Sequence, residues 1–549
     1  MKKSFILIII SIFITVSCQT LNKTTIPAWI PYDESEEIAE NSEHESKKMQ
    51  FQLIQSKVSD KNDIWKNVTH QVKDFSDKNY LTLSPLILEQ DIPTLQSHIQ
   101  SGKITYKRLT QWYLYRIVKF ENDRHKYLNA IISINPNAVK EAEKKDKNKS
   151  KDNHLIFGMP ILLKDNVNFS GLPTTAGAVA LLENHASDAF IVEKIKEKGG
   201  IILGKANLSE WANFLSPDCP NGYSAVGGQT LNPYDHKQFD TGGSSSGSGV
   251  SMAANYAVAA VGTETSGSIL SPASSNSIVG LKPTVGLLSR SGIVPISSTL
   301  DTPGPMTRNV VDNAILLSAM SGEDENDPIT KNNPKNLEYW KNLESSTLDG
   351  FRFGVIIEFL EDSIYKLNVE KIKSLGGITI EFEPENMDFD GFLTLLNGDM
   401  KVDLPKYIAD HGSENITFKS VKEIFDFNLE DSLLRIPYGQ GRFSGIIDED
   451  IEETEFAELK SRLYESGVNF FENAMQTYQL DAILSINNWN AGNAALAKYP
   501  CLTIPMGYEK SGKPIGITFI VRPFEEEKLL KMGYAFEQAT KSRKLPKNY

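Results

Sequence analysis

Thr241-Gly242-Gly243-Ser244-Ser245-Ser246-Gly247-Ser248-Gly249, followed after a small-residue segment by Gly262-Thr263-Glu264-Thr265-Ser266-Gly267-Ser268-Ile269, is the stretch on which the reading of this chain turns. Glycine tolerates positive φ and lets other groups approach the backbone closely, so successive N–H groups can converge on one spot. Such a spot suits an anion. A serine beside it can attack a carbonyl while those N–H groups hold the oxyanion, a contribution worth about 10²–10³ in rate per donor. By composition alone the first run reads equally well as a flexible linker. Its setting argues against that: it lies in mid-chain, no composition break surrounds it, and it leads into residues 250–261, which are apolar enough to be buried.

Two nucleophile schemes compete. Gly243-Ser244-Ser245-Ser246-Gly247 fits a G-x-S-x-G elbow centred on Ser245, which requires a strand before it and a histidine after it. Tyr234-Asp235-His236-Lys237-Gln238-Phe239-Asp240 is no strand, and His411 alone follows, so this scheme is weak. The other scheme uses a base that is not histidine. Gly158-Met159-Pro160-Ile161-Leu162-Leu163-Lys164-Asp165-Asn166 puts a lysine at the end of an apolar run that reads as a buried strand. A lysine there is ordinarily a surface or snorkelling residue; beside two serine loops it becomes the best base. To accept a proton it must be neutral, and moving a lysine from about 10.4 to near 7 takes roughly 4–5 kcal/mol of desolvation and hydrogen bonding.

Gly242-Gly243-Ser244-Ser245, Gly262 to Ile269, Gly280-Leu281-Lys282-Pro283-Thr284-Val285-Gly286 and the lysine block resemble, in this order of motifs, the amidase signature family, over about residues 85–545. The resemblance implies an α/β fold with a large mixed central β-sheet covered by helices on both sides. It also implies a Ser-Ser-Lys triad, with Ser268 as nucleophile, Ser244 as bridging serine and Lys164 as base. The backbone N–H groups of Thr265, Ser266, Gly267 and Ser268 would form the oxyanion hole, and an acyl-enzyme would be hydrolysed by water. No metal or organic cofactor is implied. Many members carry Asp-x-Gly-Gly-Ser-Ile-Arg where this chain has Glu264-Thr265-Ser266-Gly267-Ser268-Ile269-Leu270. The Glu-Thr-x-Gly-Ser form, with Asn221-Gly222-Tyr223-Ser224-Ala225, is similar to the bacterial peptide amidases, which remove a C-terminal amide and release ammonia. Gly243, Tyr223, Asn487 and Trp489 are candidate substrate contacts. The rival readings are the amidase component of a tRNA-dependent amidotransferase and a non-catalytic binding lipoprotein on an amidase scaffold.

The rest of the chain bounds these readings. Its 549 residues, 40% hydrophobic, can bury a large core; a net charge of −13 with no long basic run argues against nucleic-acid binding. Cys18, Cys219 and Cys501 offer neither a disulfide framework nor zinc-ligand spacing, and the eight histidines are scattered, so no metal site is expected. Residues 1–18 read as an export signal: Lys2 and Lys3 precede an apolar run too short for a spanning helix of about 20 residues. Thr15-Val16-Ser17-Cys18 resembles a lipoprotein processing site with Cys18 as the lipid-bearing residue, though Thr15 departs from the usual leucine and an ordinary cleaved signal is the alternative. Either way the enzyme is expected in the periplasm or cell envelope, with a lipid anchor placing it on a bacterial membrane. Residues 19–80 are read as a polar tether that partly drapes over the body, and residues 81–549 as the amidase domain.

Within that domain, Leu109, Trp112, Tyr113, Arg116 and Ile117 recur at helical spacing after a cap at Thr105. Residues 155–157 and 161–163 read as buried strands. Residues 190–203 and 363–380 read as helix–Gly-Gly–strand units, and residues 501–507 and 514–519 as two last strands. The acidic span 323–480 reads as mostly helical; in the resembled family this part varies and walls the substrate channel.

Overall fold

The computed structural model describes residues 26–331, 333–334 and 338–549; residues 1–18, read above as an export signal ending at Cys18, lie outside these. Eleven of thirteen strands among the described residues join in one mixed sheet. In chain order they are β1 (Ile131–Ile134), β2 (Pro160–Lys164), β3 (Ile201–Ala206), β4 (Tyr223–Ser224), β5 (Gly228–Gln229), β6 (Ala259–Glu264), β7 (Val279–Lys282), β8 (Thr302–Thr307), β9 (Arg352–Ile356), β10 (Ile378–Phe382), β11 (Ala482–Ile486), β12 (Cys501–Tyr508) and β13 (Pro514–Ile520). The spatial order is β1-β3-β2-β6-β8-β7-β12-β13-β11-β9-β10, and β4 with β5 makes a separate two-stranded ribbon. β2 lies parallel to both β3 and β6, whereas β6, β8, β7, β12, β13 and β11 run antiparallel to their neighbours in turn. Ile161-Leu162-Leu163 and Ile201-Ile202-Leu203 are buried throughout, as strands covered on both faces must be.

Helices cover the sheet where the periodicity predicts them. Thr105 Oγ1 accepts from Arg108 N–H at the start of helix Tyr106–Glu121, whose Leu109, Trp112, Tyr113, Arg116 and Ile117 are all buried. The two helix–Gly-Gly–strand units form as Phe190–Glu197 into β3 and Ser363–Ser374 into β10. Helices Phe392–His411, Val421–Leu429, Gly441–Asp448 and Glu453–Thr477 gather around a second apolar cluster beside the sheet.

One strand assignment fails. Residues 155–157 are a turn, with Phe157 N–H bonded to the His154 carbonyl and Met159 N–H to that of Ile156; Gly158, at φ +74°, then redirects the chain into β2. A run of three apolar residues is too short to impose a strand against such a turn. Residues 26–80 lie against the body through apolar side chains: Trp29, Met49, Phe51, Trp65 and Phe75 belong to the same core cluster as the sheet residues. Ile54 extends the contact through its backbone, its carbonyl accepting from Gln229 N–H (2.8 Å) and Asn129 Nδ2 (3.1 Å).

Candidate active site

β2 carries Lys164 at its C-terminal end, and its parallel neighbour β6, paired with it from Ile161–Ala259 to Leu163–Val261, carries Thr263 and Glu264 at its own C-terminal end. The serine-rich run is no linker. Residues 242–249 are buried, and helix Ser246–Ala253 begins within them. Ser245 Oγ bonds to both the carbonyl (3.1 Å) and the N–H (3.2 Å) of Thr263, Ser246 Oγ donates to the Gly242 carbonyl, and Ser248 Oγ to that of Val261. The hydroxyls thus tie the loop to β6. Ser245 is thereby a structural residue, which removes the elbow scheme, and His411 packs against Tyr407 with ring centroids 6.2 Å apart.

Two of the predicted residues, Lys164 and Ser244, meet, and the Ser268 loop lies against the neighbouring Ser245. Lys164 Nζ lies 2.8 Å from Ser244 Oγ, 2.8 Å from Thr263 Oγ1 and 3.2 Å from the Thr263 carbonyl. The Ser244 carbonyl accepts from Ser209 N–H at 3.0 Å, and Ser245 N–H donates to the Ser268 carbonyl at 3.2 Å, so both serine loops are pinned together. The Gly243–Ser244 peptide bond is cis. Lys164 and Ser244 are fully buried, whereas Ser268 is 8% exposed. Among the described residues Ser268 Oγ makes no hydrogen bond, and its contact with Ser244 is not closed; such contacts commonly tighten only when substrate binds.

Burial pushes Lys164 down to about 7, against the opposing pull of Asp301 and Glu264. That displacement from the ordinary lysine value corresponds to roughly 5 kcal/mol of disfavoured charge. Asp301, itself raised to about 6 by burial, accepts from Thr265 Oγ1 (2.5 Å) and from the N–H groups of Ile296 (2.8 Å) and Ser297 (3.0 Å).

Glu264 is the clamp of the Ser268 loop. Its Oε1 accepts from Gly267 N–H (2.7 Å), and its Oε2 from Ile269 (2.7 Å) and Leu270 N–H (3.0 Å). This corrects one expectation: the Gly267 N–H is engaged by a carboxylate and does not face an oxyanion. Among the described residues the N–H groups of Thr265, Ser266 and Ser268 have no partner. Glutamine at 264 would turn an NH₂ group toward donors that need an acceptor, and would leave buried Lys282 with less counter-charge. Glu264→Gln is therefore expected to lower kcat about 10–100-fold with KM little changed, and to cost about 1–3 kcal/mol of stability; steady-state kinetics and a denaturant melt measure both.

The candidate substrate contacts fare unevenly. Gly243 is needed for close approach: a Cβ there would meet Asn221 Oδ1 and Ser209 Oγ, each at 2.7 Å. Tyr223 is buried in a satellite cluster with Cys219 and Tyr438, its ring 4.7 Å from that of Tyr438, and does not face the site. Asn487 instead ties β11 to β13, its Oδ1 accepting from Gly516 N–H at 2.8 Å and its carbonyl from Thr518 Oγ1. Trp489 is 57% exposed, edge-on to Phe359 at 5.1 Å. Further neighbours lie outside the predicted contacts. Asn488 Nδ2 would sit 3.0 Å from a Cβ on Gly267, and Phe389, 40% exposed, flanks Gly492 opposite Ser266 Oγ. On the other side, Trp211, Ala212 and Asn213 hold consecutive left-handed conformations (φ +49°, +56° and +74°), costing about 1–2 kcal/mol each. The turn is held by Trp211 N–H on the Ala176 carbonyl and by Asn213 Nδ2 on Asn221 Oδ1 (2.9 Å). Strain so placed, against Gly243, is typical of functional sites.

Comparison with known proteins agrees with this geometry. The amidase family model matches residues 108–389, just over half of the chain. A probable amidase of Arabidopsis thaliana is 35% identical over 489 residues, covering 84% of this chain and 92% of that protein. The crystal structure of an amidase family protein from Bacillus anthracis superposes with a TM-score of 0.85 at 36% identity, covering 90% of this chain and 99% of that one. Native peptide amidase from Stenotrophomonas maltophilia gives 0.78 at 35% identity, covering 84% and 98%. A glutamyl-tRNA(Gln) amidotransferase subunit from Lawsonia intracellularis is 31% identical, over 79% of this chain and 93% of that protein. The chain belongs to the amidase signature family and is an amide-hydrolysing enzyme.

Proposed function

We propose that the enzyme hydrolyses the C-terminal amide of peptides, or small carboxylic amides, to acid and ammonia through Ser268, Ser244 and Lys164. The observation that carries this reading is the buried Lys164–Ser244 contact at 2.8 Å, made by a lysine displaced to about 7. A neutral amine has two hydrogens and one lone pair. With the hydrogens directed to the Thr263 carbonyl and Thr263 Oγ1, the lone pair of Lys164 faces the Ser244 hydroxyl. Lys164 then takes the Ser244 proton as Ser244 takes that of Ser268, and Ser268 Oγ attacks the amide carbonyl. The N–H groups of Thr265, Ser266 and Ser268 receive the oxyanion. Run in reverse, the relay protonates the leaving amine; water then takes its place and releases the acid.

Half-exposed Phe389, which flanks Gly492 near Ser266, suits a peptide side chain, and the likeness to peptide amidase supports a peptide amide over a tRNA-bound substrate. The test is ammonia release from peptide amides and from small acyl and aryl amides by the chain alone. Ammonia with the matching free acid is expected; activity appearing only with a second polypeptide would favour the amidotransferase reading. Export, and anchoring through Cys18, rest on the sequence of residues 1–18. Among the described residues no helix is long and apolar enough to cross a membrane. Mass spectrometry of the mature N-terminus checks the anchor: a diacylglyceryl Cys18 supports it, and an unmodified N-terminus refutes it.

A further inference from the structure

Asp301 stands where the two halves of the site meet. It directly precedes β8, whose Thr302 pairs with Glu264 of β6, and so lies across from Thr265 at the end of that ladder. Its Oδ1 accepts from Thr265 Oγ1 (2.5 Å), and its Oδ2 from the N–H groups of Ile296 (2.8 Å) and Ser297 (3.0 Å). On the other side of Glu264, Thr263 Oγ1 lies 2.8 Å from Lys164 Nζ. Thr263 and Thr265 are two residues apart, about 7 Å along an extended chain. Both line the same cavity, and Asp301 lines it with them. Because β2, β6 and β8 are consecutive in the sheet, Lys164 and Asp301 flank one end of β6.

The charges around this pair divide by use. Among the described residues Lys164 forms no direct ion pair, and the carboxylates whose charge reaches it are those of Asp301 and Glu264. Glu264 is spent on three N–H groups and faces Lys282. Arg290 also feels Asp301, but its guanidinium grips Asp327 at 2.6 Å. Asp403, on helix Phe392–His411, faces Asp301 as a like charge; beyond it Lys406 and Lys460 are paired with Asp410 and Asp399. The hydrogen bonds of Asp301 do not need its charge. An asparagine could turn its carbonyl to the Ile296 and Ser297 N–H groups and its NH₂ to Thr265 Oγ1, which accepts as well as donates. What a neutral residue could not supply is attraction for the proton on Lys164. Burial makes Lys164 a weaker base, and the Asp301 carboxylate restores part of that strength.

We propose that Asp301 is a positioning residue serving both halves of the site: it ties down the Thr265 end of the oxyanion loop by a hydrogen bond and acts across β6 as the charge partner of Lys164. The proposal rests on the amidase reading for its effect on turnover, and the charge coupling itself is measured apart from it.

The test is the pH profile of kcat/KM for an uncharged amide in the wild type, Asp301→Asn and Thr265→Val. In Asp301→Asn the midpoint of the acid limb is expected to fall by about half to one pH unit, the plateau dropping a few-fold because the base is weaker. Near pH 6 the variant then retains about threefold more of its own plateau than the wild type does, an advantage that fades toward pH 5 as Asp301, raised by burial to about 6, takes up its own proton. Thr265→Val removes the hydrogen bond and keeps the carboxylate, so its plateau is expected to fall with the midpoint in place. A merely structural Asp301 would lower the plateau alone; an unmoved midpoint in Asp301→Asn, or one moved upward, would overturn the proposal. Should Asp301→Asn not fold, Asp301→Ser, which leaves room for water to take the three donors, is read in the same way.

If no amide is turned over, the amidase reading fails, and a double-mutant cycle of Asp301→Asn with Lys164→Met in denaturant melts decides the coupling by itself. The attraction exists only while both groups are charged, above the titration of Asp301 at about 6 and below that of Lys164 at about 7. A favourable coupling is therefore expected at about pH 6.5 and its loss by about pH 9, where Lys164 is neutral. No coupling at either pH would overturn the proposal.

Discussion

Ser268→Ala is expected to lower kcat for amide hydrolysis about 10⁴-fold or more, the scale seen when a triad nucleophile is removed. Stability is expected to stay within about 0.5 kcal/mol of the wild type, because the Ser268 hydroxyl makes no hydrogen bond among the described residues. Ser245→Ala gives the contrasting pattern. It removes two buried hydrogen bonds to Thr263 and is expected to cost about 1–2 kcal/mol, while the nucleophile stays in place. Kinetics and denaturant melts on the two variants separate the reacting serine from the structural one. Equal loss of activity in both, with Ser268→Ala also unstable, would point to a loop defect instead of lost chemistry.

Lys164→Ala is expected to cost about 10³–10⁴ in kcat, and Lys164→Arg no less, since a guanidinium keeps its proton. The pH dependence follows from the same group. Lys164 acts when neutral, so kcat/KM is expected to climb tenfold per pH unit below about 7 and level off above it. The direction is fixed by the cause. Burial disfavours the charged lysine, and the carboxylates of Asp301 and Glu264 work against that displacement. A profile flat from about pH 5 to about pH 9 would exclude Lys164 as the base.

The elements that sequence alone makes legible are those whose signal is local. Helix Tyr106–Glu121 announces itself by Thr105 and a 3.6-residue apolar period, and β2 by Ile161-Leu162-Leu163 after Pro160. Lys164, Ser244 and Ser268 are legible because two Gly/Ser loops and a lysine-ended strand each carry their own pattern. What stays hidden depends on distant partners. Asp301 reaches Thr265 across 36 residues, and the Trp211–Asn213 turn adopts a conformation its residue types disfavour because Ala176 and Asn221 hold it. Asn487 and Asn488 are indistinguishable in sequence; the left-handed φ of Asn487 (+48°) commits it to Gly516 and sends its neighbour to Gly267. Glu264 does carry a signal: an acid followed three, five and six residues later by buried N–H groups is an acceptor placed to close a loop.

The most direct test of the central claim is to react the enzyme with an aryl fluorophosphonate and locate the adduct by peptide mass spectrometry. The account predicts one phosphonyl group on Ser268, formed as amidase activity is lost, and no adduct in Ser268→Ala. An adduct on Ser244, Ser245 or Cys219 with Ser268 unmodified, or full labelling without loss of amide hydrolysis, would contradict it.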